Sequence, residues 1–402
     1  MSLSSYVAFA TRVGASDVHL ETGLPAAVRV GGRLVSCGEP LGSSRLEAIV
    51  DEIVGDDRDE FARQGSHDGS ILVGGQRCRT NTFRTSRGHG VALRLLWPAP
   101  LGVESLNLHP ALARLAQAPR GLVIVSGATS TGKSTTLAAL VQEVNRARDA
   151  HVLTIESPIE YVYPPGRALI RQREVGRDTP SFEQALVDAM REDPDVVMVG
   201  EVRTPAAMRL VLDAAETGHL VLATMHSSTV SDALYRLVSA FPSEVRQGIC
   251  AQLADVLVAA LCQRLVLRPS LGVRVPELEL LTATRPARSI VREGQFFKLP
   301  SVMQTGRRGG MWTLELYRAW LDARDDWSIP EGLVALGPED VVEQWRRFVA
   351  GAHEAASGEV PAPPPAAPSA GDAAAGGDDV IVISPEDDSL SDILSELEDE
   401  AP

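Results

Sequence analysis

The chain has 402 residues, 44% of them hydrophobic and only 4% aromatic, with a formal net charge of −15; this is too long for one ordinary core and predicts two or three domains. Residues 351–402 carry 13 acidic side chains and no Lys or Arg, so 1–350 holds 40 acidic against 38 basic residues and lacks the positive footprint of a nucleic-acid binder. The four cysteines, Cys37, Cys78, Cys250 and Cys262, show no C-x-x-C spacing, which argues against a zinc module or disulfide framework and fits a reducing cytosol.

The N-terminus has no basic segment followed by an unbroken apolar stretch. The most apolar long segment, ICAQLADVLVAALC (249–262), is interrupted by Gln252 and Asp255 and is too short to span a bilayer, so a soluble protein is expected. Residues 3–13 fit a short helix. AAVRVGGRLV alternates around Gly31-Gly32 as a hairpin does, and RLEAIVDEIV and DRDEFARQG have helical spacing. GSILVGGQRCRTNTFRTSRGHGVALRLL offers three strands joined by Gly-rich turns, closing an α+β domain over 1–96. WPAPLGVESL, within 97–106, reads as a linker.

From 107 to 350 the chain alternates: helix 109–118, strand 121–126, helix 133–147, strand 151–156, helix 181–192, strand 195–200, helix 205–216, strand 219–225. That rhythm builds a parallel sheet with crossover helices, the α/β architecture of RecA-like P-loop ATPases. Residues 230–350 read as mostly helical, with short strands near 263–268 and 275–281. The last segment, 351–402, is rich in Pro, Ala and Gly and is expected to be a disordered acidic tail. Leu390, Ile393, Leu394 and Leu397 near its end are spaced for an amphipathic helix docking on an unknown partner, and equally for a solvated tail with incidental leucines.

The most informative stretch is GLVIVSGATSTGKSTT, residues 121–136, a short apolar strand followed by G-x-x-x-x-G-K-[ST] and a helical run. The lysine in it is one of only two among 38 basic residues, so a chance match is improbable. The loop Gly127, Ala128, Thr129, Ser130, Thr131, Gly132, Lys133, Ser134 and Thr135 offers backbone amides and a helix N-terminus to phosphate. Lys133 is suited to the β- and γ-phosphates and the Ser134 hydroxyl to Mg²⁺, which makes ATP and Mg²⁺ the expected cofactors.

Phosphoryl chemistry also needs a carboxylate at a strand end near the phosphates. VVMVGE supplies Glu201, preceded by Gly200 where many P-loop enzymes carry a magnesium-binding Asp, and LTIESPIE supplies Glu156 and Glu160. His219 and His226 lie at the two ends of another strand and are candidates for sensing the γ-phosphate. Thr204-Pro205 is a helix start.

Residues 1–350 resemble a type IV pilus retraction ATPase of the PilT family, within the secretion and pilus ATPase superfamily. ASDVHLETGLPAAVRVGGRLV resembles its N-terminal signature, LTIESPIEYV its aspartate box, REDPDVVMVGEVR its Walker B region and AAETGHLVLATMHSST its histidine box. ARSIVREGQFFKLPSVMQTGRRGGMWTLE resembles the C-terminal region of retraction motors, with an AIRNLIRE-like element at Ala287–Glu293. The resemblance implies a homohexamer binding ATP between a small PAS-like N-terminal domain and the RecA-like domain. It also implies a cytoplasmic protein, peripheral at the inner membrane, that drives pilus depolymerisation through an inner-membrane platform protein and the pilus assembly machinery. By the same resemblance Glu201 is the catalytic glutamate, Glu156 and Glu160 are the aspartate-box acids and His219 and His226 the histidine-box pair. Arg77, Arg79 and Arg94 are then the N-terminal arginines completing the site. Extension motors of the superfamily usually carry a further N-terminal domain and a four-cysteine zinc module, which favours the retraction side here.

There are departures. Ser157 replaces a carboxylate of the aspartate box, Ser130 stands where glycine is usual, and Thr204 and Ala207 replace two acids after Walker B. Losing one outer-shell group typically costs about 10–100-fold in metal affinity or activity, so a slower motor is expected. Two alternatives remain at this level: an ATP-binding regulatory paralogue with weak turnover, and a secretion or DNA-translocation ATPase of the same superfamily.

Overall fold

The described strands form two sheets, one antiparallel and one mostly parallel. The structure, a computed structural model, describes residues 1–96, 100–268, 271, 273–329 and 337–357. Part of the expected linker (97–99) and nearly all of the expected tail, with its leucine pattern, lie outside the described residues.

The N-terminal sheet is built from α1 (Leu3–Arg12), β1 (Asp17–Glu21), β2 (Pro25–Val30), β3 (Arg33–Pro40), α2 (Ser43–Val54), α3 (Arg58–Gln64), β4 (Ser66–Val73), β5 (Gln76–Thr85) and β6 (Gly88–Leu95). Its strands run antiparallel in the order β3-β2-β1-β6-β5-β4. Gly31 (φ +56°) and Gly32 (φ +81°) form the two-residue turn between β2 and β3, a left-handed pair that glycine adopts without steric cost. Strand β1 (DVHLE) alternates polar and apolar residues, with Val18 and Leu20 in the core, but at five residues the pattern is too short to stand out.

The second sheet uses β7 (Gly121–Ser126), α4 (Lys133–Ala147), β8 (His151–Glu156), β9 (Leu169–Glu174), α5 (Phe182–Ala189), β10 (Val196–Val199), α6 (Pro205–Glu216) and β11 (Leu220–Met225). It continues with α7 (Val230–Ser239), α8 (Arg246–Val256), β12 (Leu257–Arg268), β13 (Val273–Thr282), α9 (Arg285–Arg292), α10 (Leu299–Thr305) and α11 (Leu314–Asp322). The order is β13-β12-β7-β11-β10-β8-β9, parallel except for β13 at the edge. Strand β7 is buried throughout: Leu122 and Ile124 join a core with α6 and α8, while Val123 and Val125 join one with α4 and α11. Each such side chain withdraws apolar surface worth about 1.5–3 kcal/mol. Helices therefore cover both faces, and the C-terminal ends of the parallel strands form one edge. This is the α/β, RecA-like core with a small N-terminal α+β domain.

Several elements differ from expectation. Residues 109–118 form a 3₁₀ segment, Pro110–Gln117, rather than an α-helix. Strand β9 carries Arg and Gln at an edge, so its apolar signal is weak. The apolar run 249–262 is divided: α8 ends at Val256 and β12 begins at Leu257, pairing in parallel with β7. The strands expected near 263–268 and 275–281 thus belong to a longer hairpin.

The last described helix, α12 (Pro338–Ser357), also departs from the expected grouping of 107–350. Its Val341 and Trp345 are buried in the core of the N-terminal sheet, where the Trp345 ring stands edge-on to Phe9 at 4.8 Å. Gly38 (φ +80°) leaves room for it, since a Cβ there would lie 2.8 Å from Trp345 Nε1. Trp345→Ala should cost about 3–5 kcal/mol of that core's stability and lower the thermal midpoint by several degrees. An unchanged melting curve would refute the docking of α12.

Candidate nucleotide site

The loop leaving β7 is shaped by contacts from β12. At Gly127 (φ +148°) a side chain would strike the Gln263 carbonyl oxygen and lie 2.6 Å from Thr131 Oγ1. Gln263, almost fully buried, donates from Nε2 to the Thr131 carbonyl (2.7 Å) and accepts from Thr136 Oγ1 (2.7 Å). Thr131 Oγ1 donates to the Ala128 carbonyl (2.9 Å). Gly132 (φ +84°) caps α4, whose first turn points its amides at the cleft. Ser130 sits at φ +62°, a conformation that costs a non-glycine residue about 1–2 kcal/mol.

Lys133 is buried and folds back on the loop, donating to the carbonyls of Gly127 (3.1 Å) and Ala128 (2.9 Å). Burial lowers its pKa, and Glu201, Cys262 and Glu160 oppose that shift. Thr129, Ser130, Gly132, Ser134 and Thr135 line the same cleft of about 830 Å³. Thr135 Oγ1 also lies 2.9 Å from the Tyr161 hydroxyl.

The three sequence-predicted acids converge there. Glu201 follows β10, and Thr224 on the neighbouring strand fixes its approach: Thr224 Oγ1 donates to the Gly200 carbonyl, and Val202 N–H donates to the Thr224 carbonyl (3.0 Å). Arg203 pairs with Glu201 Oε2 at 2.6 Å. His226 Nε2 stands 2.8 Å from Glu201 Oε1, yet the approach is not along a hydrogen-bonding direction, so that buried oxygen keeps no hydrogen-bond partner. Glu160 faces the Ser134 hydroxyl; burial raises its pKa, and Ser134, Arg79, Arg94 and Lys133 pull the other way. Glu156 is more deeply buried and its pKa is also raised, opposed by hydrogen bonds from Thr154 Oγ1 (2.7 Å) and Gln172 Nε2 (3.1 Å).

Arg79 and Arg94 reach the cleft from the N-terminal sheet, Arg94 braced by Asp17 at 2.9 Å. Gly127, Ala128 and Thr131 shape the loop without lining the cleft, and Arg77 and His219 are not brought to it. Arg77 is absorbed by Glu174, Ser70 and the Ile159 carbonyl and does not line the cleft. His219 precedes the first residue of β11, at the opposite end of that strand from His226, and its Nδ1 lies 2.9 Å from the Ala214 carbonyl. Conversely, sequence reading overlooked Gln263, Tyr161, Thr224 and Arg203. A parallel sheet gives the signal for Thr224 and Arg203, which flank a strand end; Gln263 lies far downstream and carries no local signature.

A phosphate-binding loop leaving an interior strand, a carboxylate at the same edge on the next strand but one, and a helix-flanked parallel sheet define a RecA-like P-loop ATPase. A family profile described as "Type II/IV secretion system protein" matches residues 2–293, and the chain belongs to that family. It is 38% identical over 343 residues to the type IV pilus retraction ATPase PilT of Pseudomonas aeruginosa, covering 82% of this chain and 99% of that protein. The type IV pilus ATPase PilU of the same organism is 35% identical over 305 residues, 75% of this chain and 80% of PilU. A crystal structure of the pilus retraction motor PilT with bound ADP superposes with a TM-score of 0.72 at 33% identity, covering 81% of this chain and 98% of that one. This chain is accordingly an ATP-binding, ATP-hydrolysing enzyme, and among the described residues no helix is long and apolar enough to cross a membrane.

Because burial raises the pKa of Glu160 above 4.5, its carboxylate costs stability where it is ionised. That cost is absent where the group is protonated in both folded and unfolded chain, and it grows as pH rises through the raised value. Glu160→Gln should therefore melt higher than the wild type at pH 7–8 without nucleotide, the gain shrinking toward pH 5, while turnover falls at least about tenfold. A pH-independent difference in melting midpoint would contradict this account.

Proposed function

We propose that this ATPase is a homohexameric motor that retracts a type IV pilus, or a related filament, by acting from the cytoplasmic side on an inner-membrane platform protein. The convergence of Lys133, Ser134, Glu160, Glu201, Arg79 and Arg94 on one cleft supports it most directly. Similarity to PilT over 99% of that protein supports the retraction role. In this reading 1–96 is the N-terminal domain, 97–106 the linker, 107–350 the ATPase domain, with α12 docked back on the first, and 351–402 a tail for a further partner.

Each residue has a part. Lys133 exchanges its two loop carbonyls for β- and γ-phosphate oxygens, and the loop amides from Ala128 to Thr135 hold the rest of the polyphosphate. Ser134 would hold Mg²⁺, which would supply positive charge to the phosphates, and Glu160 and Glu156 stand behind that hydroxyl. The unpartnered oxygen of Glu201 orients and deprotonates the attacking water, while Arg203 holds the other carboxylate oxygen and His226, beside the first, is placed to sense the γ-phosphate. Arg79 and Arg94 stabilise charge on the phosphates from the N-terminal side.

Steady-state Mg²⁺-dependent ATPase activity, measured with sizing, tests this. Lys133→Ala should lose nucleotide binding, and Glu201→Gln should bind ATP yet lose at least about 100-fold in kcat. Wild-type turnover no faster than Glu201→Gln would end the motor reading.

A second reading, a regulatory paralogue with weak turnover, draws on Ser157, which lines the cleft where the family has a carboxylate, and on the similarity to PilU. If that position limits the rate, Ser157→Asp should raise kcat about 10–100-fold. Equal rates would remove the ground for this reading.

A further inference from the structure

The loop leaving β8 carries Glu160 and is without helix or strand from 157 to 163, so its peptide groups must find partners elsewhere. Side chains provide them. The Ile159 N–H donates to Glu174 Oε2 (3.1 Å), and the Ile159 carbonyl accepts from Arg77 Nε (3.1 Å). The Glu160 N–H points to Glu156 Oε2 (3.4 Å), and the Tyr161 carbonyl accepts from Gln172 Nε2 (2.8 Å). Gln172 and Glu174 are two apart on β9 and share a face, as strand periodicity requires.

Arg77 is the one partner in this set that comes from the other sheet. From β5 its second guanidinium nitrogen donates to Glu174 Oε2 (3.0 Å) and to Ser70 Oγ (3.1 Å), and Ser70 in turn donates to the Glu174 carboxylate (3.2 Å). Glu174 is buried, so each donor matters: a buried carboxylate that loses its cation is left uncompensated. Together Arg77 and Glu174 take both the N–H and the carbonyl of Ile159, one residue before Glu160. Arg79, two residues along β5 from Arg77, projects from the same strand face toward the cleft.

We propose that Arg77 and Glu174 form one positioning unit that clamps the Ile159 peptide and thereby holds Glu160 opposite Ser134. The N-terminal sheet then acts on hydrolysis by two routes, Arg79 and Arg94 facing the cleft directly and Arg77 setting the loop from outside it. This rests on the reading of Ser134 and Glu160 as the cation side of the nucleotide site. Arg77 is a positioning residue and touches no nucleotide.

The test uses the full-length assembled protein with Arg77→Met, Glu174→Gln and the double variant. Readouts are kcat, the Mg²⁺ concentration at half-maximal activity, and the Kd of a fluorescent ADP analogue. Each single variant should lower kcat about 10–100-fold and raise the Mg²⁺ requirement, as loss of an outer-shell partner does. The Kd should stay within about twofold, and the double variant should be no worse than the poorer single one, since the two residues act together. A Kd loss matching that of Lys133→Ala would make Arg77 a nucleotide ligand and overturn the proposal, as would multiplicative losses or an unchanged kcat. If Arg77→Met does not assemble, the near-isosteric Glu174→Gln must show the kcat loss with Kd intact, and its absence overturns the proposal. Retained turnover in Lys133→Ala and Glu201→Gln would instead indict the site itself.

Discussion

A lysine ammonium withdrawn from water, on the first turn of the helix that follows an entirely buried strand, is the constraint that organises this molecule. An isolated buried cation costs several kcal/mol, and Lys133 meets that cost with two loop carbonyls and with the acidic groups Glu201 and Glu160 nearby. The carbonyls are in range because Gly127 lets the loop lie against Gln263, where a Cβ would collide. The acids are in range because β10 and β8 run parallel to β7 and end on the same edge. Sheet direction, loop glycine and carboxylate placement are thus one solution to one electrostatic problem.

The same edge keeps carboxylates in poor solvation. Glu156 and Glu160 both have raised pKa values from burial, so the fold carries charge that a solvated surface would hold more comfortably. Such a site is poised for a divalent cation, which would supply the positive counter-charge that the protein provides only in part. It also explains why the N-terminal sheet matters to the chemistry: Arg79 and Arg94 contribute positive charge to Glu160 from a separate layer. Contact between the two layers therefore changes the electrostatics of the cleft as well as its shape.

What sequence could reveal follows the range of each interaction. The phosphate loop, Glu201 and the Thr204 cap are local patterns, and Thr204 does accept from the Ala207 N–H at 3.1 Å. His219 and His226 have equal standing in one dimension. In a parallel strand of six residues, about 20 Å long at 3.3 Å per residue, only His226 reaches the ligand edge. Arg77 and Arg79 likewise look equivalent in R-x-R-x-N. Their roles part because Glu174, nearly a hundred residues away, captures the first and leaves the second facing the cleft. Strand β9, which presents Glu174, was invisible because an edge strand with polar residues has little alternation to read.

The departures from the family pattern are best weighed by what else fixes the backbone around them. Ser130 occupies a left-handed position that glycine would take freely, but the loop beside it is pinned by Gln263 at Thr131 and Thr136. The left-handed backbone at Ser130 therefore carries local strain beside a loop that Gln263 holds at the Thr131 carbonyl. Ser157 opens a loop whose later peptides, Ile159 to Tyr161, are held by Glu174, Arg77, Glu156 and Gln172 rather than by the residue at 157. Losing a carboxylate at 157 removes charge from the rim and leaves Glu160 in place. Both changes spare Lys133, Ser134 and Glu201, the groups that would touch the phosphates, magnesium and water. In the motor reading proposed above, their expected consequence is a change in rate and in metal dependence on a site whose phosphate-facing groups are kept.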